Sequence, residues 1–212
     1  MLTNSVKTDG LLKDNTVLSA GMVISPVIIC GNTIQNALAL IYAFTIITFL
    51  SVAAASFVPR KLPYAVKIII YALIASVIYI PVRRLSTEIY PDSIINIGIY
   101  FPLIAVNSLI VYQTEVRFFK QPRIQMLGSL IFCILGFDFV MLLTAFIREL
   151  FGNGTINSHV VDVDTVISGI SQPFGGFIFL GIMCAVYRKI RSLIEAEKTD
   201  SESYGKMSIG KK

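Results

Sequence analysis

The sequence predicts an all-α membrane protein: six transmembrane helices in a three-plus-three inverted repeat, with the first and fourth elements broken. Three observations lead there. Of 212 residues, 55% are hydrophobic and only 15% charged, more apolar mass than a soluble domain of this size encloses. Several apolar runs reach about 18 to 22 residues, the length a helix rising ~1.5 Å per residue needs to cross a ~30 Å hydrocarbon core. The basic residues sit in the short gaps between these runs and in the tail, so the net charge of +5 reports orientation. No nucleic-acid partner is expected.

The first apolar stretch, Val17 to Cys30, is too short to cross as a regular helix. It meets Gly31, Asn32, Thr33 and Gln35 before apolar character resumes from Ala37 to Val58. The next run extends from about Ile68 to Val82 and ends in Arg83-Arg84. A further run from Ile94 to Tyr112 is interrupted by Pro102 and Asn107. The last two are Ile124 to Ile147, with Asp138 inside it, and Val166 to Tyr187, which holds Pro173, Gly175 and Gly176. Lipid offers the backbone no hydrogen bonds, so the two broken stretches must be buried in protein or line a polar cavity.

Those stretches resemble each other. Ser25-Pro26-Val27-Ile28-Ile29-Cys30-Gly31-Asn32-Thr33 and Phe101-Pro102-Leu103-Ile104-Ala105-Val106-Asn107-Ser108 share a Pro-aliphatic-Ile opening with an Asn shortly after. They open the first and fourth of six elements. Three crossings per half turn the halves upside down relative to one another, so broken helices meet near the midplane. Charge fits six: one side holds 15 of the 18 basic residues, and the other holds only Arg83, Arg84 and Arg148. The positive-inside rule then places both termini in the cytoplasm. The expected organisation is a cytoplasmic N-terminal segment over residues 1–16, a six-helix domain over 17–190 and a flexible cytoplasmic tail over 191–212. No cleaved signal peptide is expected.

Among the polar residues, Asp138 lies mid-run with no basic residue within a turn or two. A carboxylate at membrane depth is costly, which points to proton or cation handling, with a protonated acid bonded to a neighbouring helix as the plainer alternative. Arg148 and Glu149, followed by Phe151-Gly152-Asn153-Gly154-Thr155, read as a helix end and turn. His159, with Asp162 and Asp164, reads as a solvated loop. Cys30, Cys133 and Cys184 are far apart inside apolar stretches and read as small buried hydrophobes. No phosphate loop, nucleophile elbow or zinc-protease motif is present, so catalysis by this polypeptide alone is not expected.

Three segments carry a resemblance: Gly98-Ile99-Tyr100-Phe101-Pro102-Leu103-Ile104-Ala105-Val106-Asn107-Ser108-Leu109-Ile110-Val111, Arg148-Glu149-Leu150-Phe151-Gly152-Asn153-Gly154-Thr155, and Gln172-Pro173-Phe174-Gly175-Gly176-Phe177-Ile178. From about Thr16 to Tyr187 the chain resembles the membrane subunits of Rnf and Nqr complexes, most nearly the Rnf E and Nqr D subunits. The resemblance implies a six-helix subunit of a bacterial or archaeal plasma membrane. It would pair with a homologous subunit of opposite orientation and with other Rnf/Nqr-like subunits, in a complex that couples electron transfer from ferredoxin or NADH to sodium or proton movement. It also implies a [2Fe-2S] cluster shared between the two homologous subunits, each giving one cysteine from each broken helix.

At those two positions this chain has Ser25 and Ser108. A thiol with a pKa near 8.5 yields a soft thiolate suited to iron, whereas a serine hydroxyl is a hard donor that resists deprotonation. No cluster ligand is therefore expected from this chain. Pro26, Asn32, Thr33, Pro102 and Asn107 are expected to support the half-helices around the two serines, and no metal site is expected. Two readings stay open: a divergent subunit of an Rnf/Nqr-like electron-transport complex, and a small transporter or channel on the same inverted-repeat fold. Broken helices suit the second as well, because Asn32, Thr33 and Asn107 would meet ions or small solutes there.

Overall fold

A computed structural model describes residues 15, 17–18, 21–59, 61–117, 123–157, 159–161 and 167–209. The architecture is helical. In chain order the elements are α1 (Ile24–Cys30), α2 (Ile34–Ala55), α3 (Tyr64–Ile89), α4 (Pro91–Ile97), a 3-10 segment (Gly98–Val106), α5 (Ser108–Tyr112), a π turn (Gln113–Arg117), α6 (Arg123–Asn153), strands β1 (Thr155–Ile156) and β2 (His159–Val160), α7 (Ser168–Ser171) and α8 (Pro173–Ile209). Among the described residues four stretches are long and apolar enough to cross a membrane: Ile34–Ala55, Tyr64–Ile89, the broken Pro91–Glu115, and Met126–Asn153. The expected N-terminal segment lies almost wholly outside the described residues, as do Asp162 and Asp164.

Local chemistry sets the breaks. α1 tolerates Pro26 because a proline in the first turn removes an N–H that has no intrahelical partner anyway. It stops at Gly31, whose N–H bonds the Val27 carbonyl at 3.0 Å. Thr33 then caps α2, its Oγ1 accepting from the Asn36 N–H at 3.3 Å. Gly98 ends α4 at φ +55, where a side chain is disfavoured. Pro102 sits inside the 3-10 segment, and Asn107 caps α5 by accepting from the Ile110 N–H at 3.0 Å.

The core forms around α2 and α6. Leu40, Ala43, Phe44 and Ile47 of α2 are fully buried, as are Phe137, Met141 and Ala145 of α6. The Phe44 and Phe137 rings stack with centroids 4.0 Å apart. α3 is the outer helix, with Ile69, Leu73, Val77 and Ile80 all more than 60% exposed, a face suited to lipid. Near the start of α3, Lys67 makes a buried ion pair with Glu115 at 2.7 Å, and the Tyr71 hydroxyl donates to the other Glu115 oxygen at 2.6 Å.

Two elements run past their expected ends. α6 continues through Arg148 and Glu149 to Asn153. α8 carries a helical backbone to Ile209, through the segment the composition marks as a flexible tail. Glu, Lys, Arg and Ala are good helix formers, and the apolar start of α8 supplies the nucleus they extend.

Replacing Phe137 by alanine opens a cavity where the α2–α6 contact is tightest. The chain in detergent is expected to lose on the order of 3 kcal/mol of stability, seen as a lowered unfolding midpoint, with Phe137→Leu costing much less.

Candidate functional site

The polar joint lies where α1 ends, α2 begins and α6 approaches its own end. Arg148 is 1% exposed, near the end of a largely apolar helix. A guanidinium has five N–H donors and accepts nothing, and here each donor has a carbonyl. Nη1 donates to Ile28 at 2.5 Å and Gly31 at 3.0 Å, at the C-terminal end of α1. Nε donates to Ile170 at 3.0 Å, and Nη2 to Ser171 at 2.9 Å and Gln172 at 3.3 Å, at the end of α7. These carbonyls are the groups a helix end leaves unpaired and partly negative. One cation thus satisfies the ends of two short helices, whose last carbonyls have no partner within the helix.

Glu149 does the converse. It is also 1% exposed, and its Oε2 accepts from the Ile34 N–H at 2.6 Å, the positive start of α2. Its Oε1 accepts from the Thr155 hydroxyl at 3.2 Å, tying in the β1–β2 hairpin. Successive helical residues point about 100° apart, so neighbouring side chains reach different elements. The pair is therefore more than the helix end and turn that the sequence suggests: it is a joint for α1, α2, α7 and the hairpin. Gly176 completes the seat, since a Cβ there would lie 3.0 Å from Arg148 Cζ.

The sequence-selected residues distribute around this joint. Ser25 lies in the first turn of α1, exposed, at the end of that helix opposite Arg148's carbonyls, and Pro26 follows it half-buried. Ser108 opens α5, also exposed, directly after buried Asn107. α1 packs on the 3-10 segment through a core shared by Ile28, Phe101 and Ile104, and Pro102 faces outward. Asn32, Thr33 and Asn107 spend their side chains on the fold. Asn32 Oδ1 accepts from Asn36 Nδ2 at 3.0 Å and Thr33 caps α2, while Asn107 Nδ2 donates to the Ile104 carbonyl at 2.8 Å and to Thr48 Oγ1 at 3.4 Å.

Asp138 is apart from the joint. Ten residues from Arg148 on the same helix, it lies about 15 Å away along the axis. The Thr45 hydroxyl donates to its Oδ2 at 3.1 Å, and its Oδ1 is buried without a hydrogen-bond partner. Cys30 and Cys133 are buried and Cys184 half-buried, and none of the three is in a disulfide. His159 is exposed on β2. Sequence reasoning missed the Arg148–Glu149 joint and the Lys67–Glu115 pair. The available signals were charges placed at the ends of apolar runs on matching sides of the bundle.

Arg148→Lys keeps the charge but cannot span carbonyls on both short helices with one ammonium. It is expected to cost about 3 kcal/mol, since hydrogen bonds to charged groups are worth roughly 1.5 to 3 each. The unfolding midpoint of the purified chain measures this. Gly176→Val is expected to act in the same direction by displacing the guanidinium.

Comparison with known proteins places this chain in a family. A family model described as "Rnf-Nqr subunit, membrane protein" matches residues 3–184. The E subunit of the ion-translocating oxidoreductase complex of Cronobacter sakazakii is 30% identical over 199 residues, covering 86% of this chain and 86% of its own. The corresponding E subunit of Shewanella loihica is 25% identical over 209 residues, covering 92% and 90%. That of Buchnera aphidicola is 26% identical over 202 residues, covering 88% of each. That span takes in both broken stretches and Arg148–Glu149, and by it this chain belongs to the Rnf-Nqr family of membrane subunits.

Proposed function

We propose that the chain works as the E-type membrane subunit of an ion-translocating oxidoreductase complex, as one part of the assembly and not as an enzyme alone. The observation that carries this is similarity along nearly the whole chain to proteins named as the E subunit of such a complex. A lone transporter or channel is not favoured, because those relatives are named as subunits of an oxidoreductase. Within the complex the chain accompanies electron transfer from a ferredoxin- or NADH-type donor and the movement of sodium ions or protons.

The same reading includes six crossings in two inverted halves, with α1 as the broken start of the first and the 3-10 segment with α5 as the broken start of the second. Both starts are short, proline-bearing and followed by a side-chain-capped helix, at Thr33 and at Asn107. The segregation of basic residues supports cytoplasmic termini in a bacterial or archaeal plasma membrane, with 17–190 as the membrane domain between residues 1–16 and the tail 191–212. The exposed faces bearing Ser25 and Ser108 suit a homologous subunit of opposite orientation.

The family's [2Fe-2S] group does not fit this donor set. The two positions offer hydroxyl oxygens, which are hard and resist deprotonation, and Cys30 and Cys133 are buried elsewhere. The serines hydrogen-bond or pack at the subunit contact, and electron transfer does not use iron held by this chain. Asp138, hydrogen-bonded to Thr45 with one oxygen unpaired inside an apolar helix, takes part in ion handling.

Two measurements test this. In the complex purified with its partner subunits, the Ser25→Ala, Ser108→Ala double variant is expected to leave iron content and the paramagnetic signal of the reduced sample unchanged. Loss of iron on that substitution overturns the ligand argument. Asp138→Asn is expected to lower ion uptake by proteoliposomes at least tenfold relative to electron transfer, and unchanged uptake removes Asp138 from the ion route.

A further inference from the structure

Three hydroxyls stand on α2 at intervals of three residues: Thr45, Thr48 and Ser51. Residues three apart are neighbours on a helix surface, here roughly 4.5 Å apart along the axis, a gap that one bridging water spans. Each hydroxyl sits against a different element or stands alone. Thr45 donates to Asp138 Oδ2 on α6 at 3.1 Å, and Thr48 Oγ1 accepts from Asn107 Nδ2, at the cap of α5, at 3.4 Å. Ser51 is fully buried, and its Oγ has no hydrogen-bond partner.

The chain that leaves Asn107 supplies the next polar group. α5 and the π turn both stay against α2, and Ile110 packs in one cluster with Val52 and Ala55, which lie beyond Thr48 toward the end of α2. Gln113 follows Ile110 by about one turn and is fully buried, with neither end of its amide hydrogen-bonded. Two residues on, Glu115 meets Lys67 and Tyr71 near the start of α3, and its side chain is 13% exposed, so this end of the series reaches the surface. Among the described residues, four of the six buried side-chain atoms without a partner belong to Ser51, Gln113 and Asp138. Unbonded buried polar atoms are costly, and interiors pair them with protein or with water. Several of them along one series, each near another polar group, is the arrangement bridging waters require.

We propose that Gln113, Ser51, Thr48 and Thr45 form a water-bridged file along which a small monovalent cation, a proton or a sodium ion, passes between Asp138 and the end of the bundle at Glu115. The proposal rests on the reading of Asp138 as an ion-handling residue. Conduction needs contacts that are favourable enough to admit an ion and weak enough to release it. Neutral hydroxyl and amide oxygens meet that need along the file, and at its mouth Lys67 balances Glu115, so the ion is not trapped there. Asp138, hydrogen-bonded only to Thr45 among the described residues, is where it stops.

The test uses the complex with all its subunits in proteoliposomes, reading electron transfer together with uptake of protons and of radioactive sodium. Gln113→Leu keeps most of the side chain's bulk and removes its polar atoms, and Ser51→Ala removes one hydroxyl. In each, uptake per electron of whichever ion the wild type moves is expected to fall roughly fivefold, the worth of one lost hydrogen bond, with the unfolding midpoint not lowered. Ser51→Thr keeps the hydroxyl and is expected to retain most of the uptake. Unchanged uptake in Gln113→Leu and Ser51→Ala overturns the file. A fall accompanied by a lowered midpoint, or Ser51→Thr as impaired as Ser51→Ala, overturns it too, by showing a structural role only. If Gln113→Leu fails to assemble, the two Ser51 variants decide. Asp138→Asn, measured beside them, separates the two readings. Reduced uptake there with the file variants unchanged removes the file alone, whereas unchanged uptake in Asp138→Asn removes the ion-handling reading and the file with it.

Discussion

The structure depends on one buried cation that finds five carbonyls. A membrane protein with unbroken helices has little use for such a residue, because every backbone group inside the hydrocarbon is already paired. This chain contains two short helices, α1 and α7, whose last carbonyls converge on Arg148. Glu149, next in sequence, takes the N–H at the start of α2. Opposite charges on adjacent residues thus complement opposite helix ends. Removing either leaves the other buried and its helix end unpaired.

Function follows from what this joint leaves free. Because Arg148 holds the C-terminal end of α1, the first turn with Ser25 emerges on the surface in a fixed pose. Asn107 performs the parallel task for Ser108, spending both ends of its amide on the backbone and on Thr48. The two serines are presented by caps and carbonyl clamps. On the proposed reading, in which Ser25 and Ser108 stand where the family keeps cluster ligands, the elements that place them draw their stability from these contacts.

Much of this was legible in the sequence. Run lengths located the long helices, and Pro26, Gly31, Pro102 and Asn107 marked the breaks, because proline, glycine and asparagine act within a few residues of where they stand. The Arg148 contacts were not legible: its bonds to Ile28 and Gly31 span 120 and 117 residues, and Glu149 reaches Ile34 across 115. Local rules read that pair as the end of a helix, whereas α6 passes through it to Asn153, the charges being hydrogen-bonded by groups far off in sequence. The Lys67–Glu115 pair was hidden in the same way. The helical backbone of the tail was not foreseen either, because polar composition does not stop a helix that an apolar start has already nucleated.

A double-mutant cycle on Arg148→Gln, Glu149→Gln and the combined variant addresses the central claim most directly, with unfolding of the assembled subunit as the readout. If the two side chains act as one joint, the double variant loses much less stability than the sum of the single losses, a coupling on the order of 1 to 3 kcal/mol. Additive losses would mean that the two charges serve unrelated helix ends, and the joint on which the placement of both serines rests would not exist.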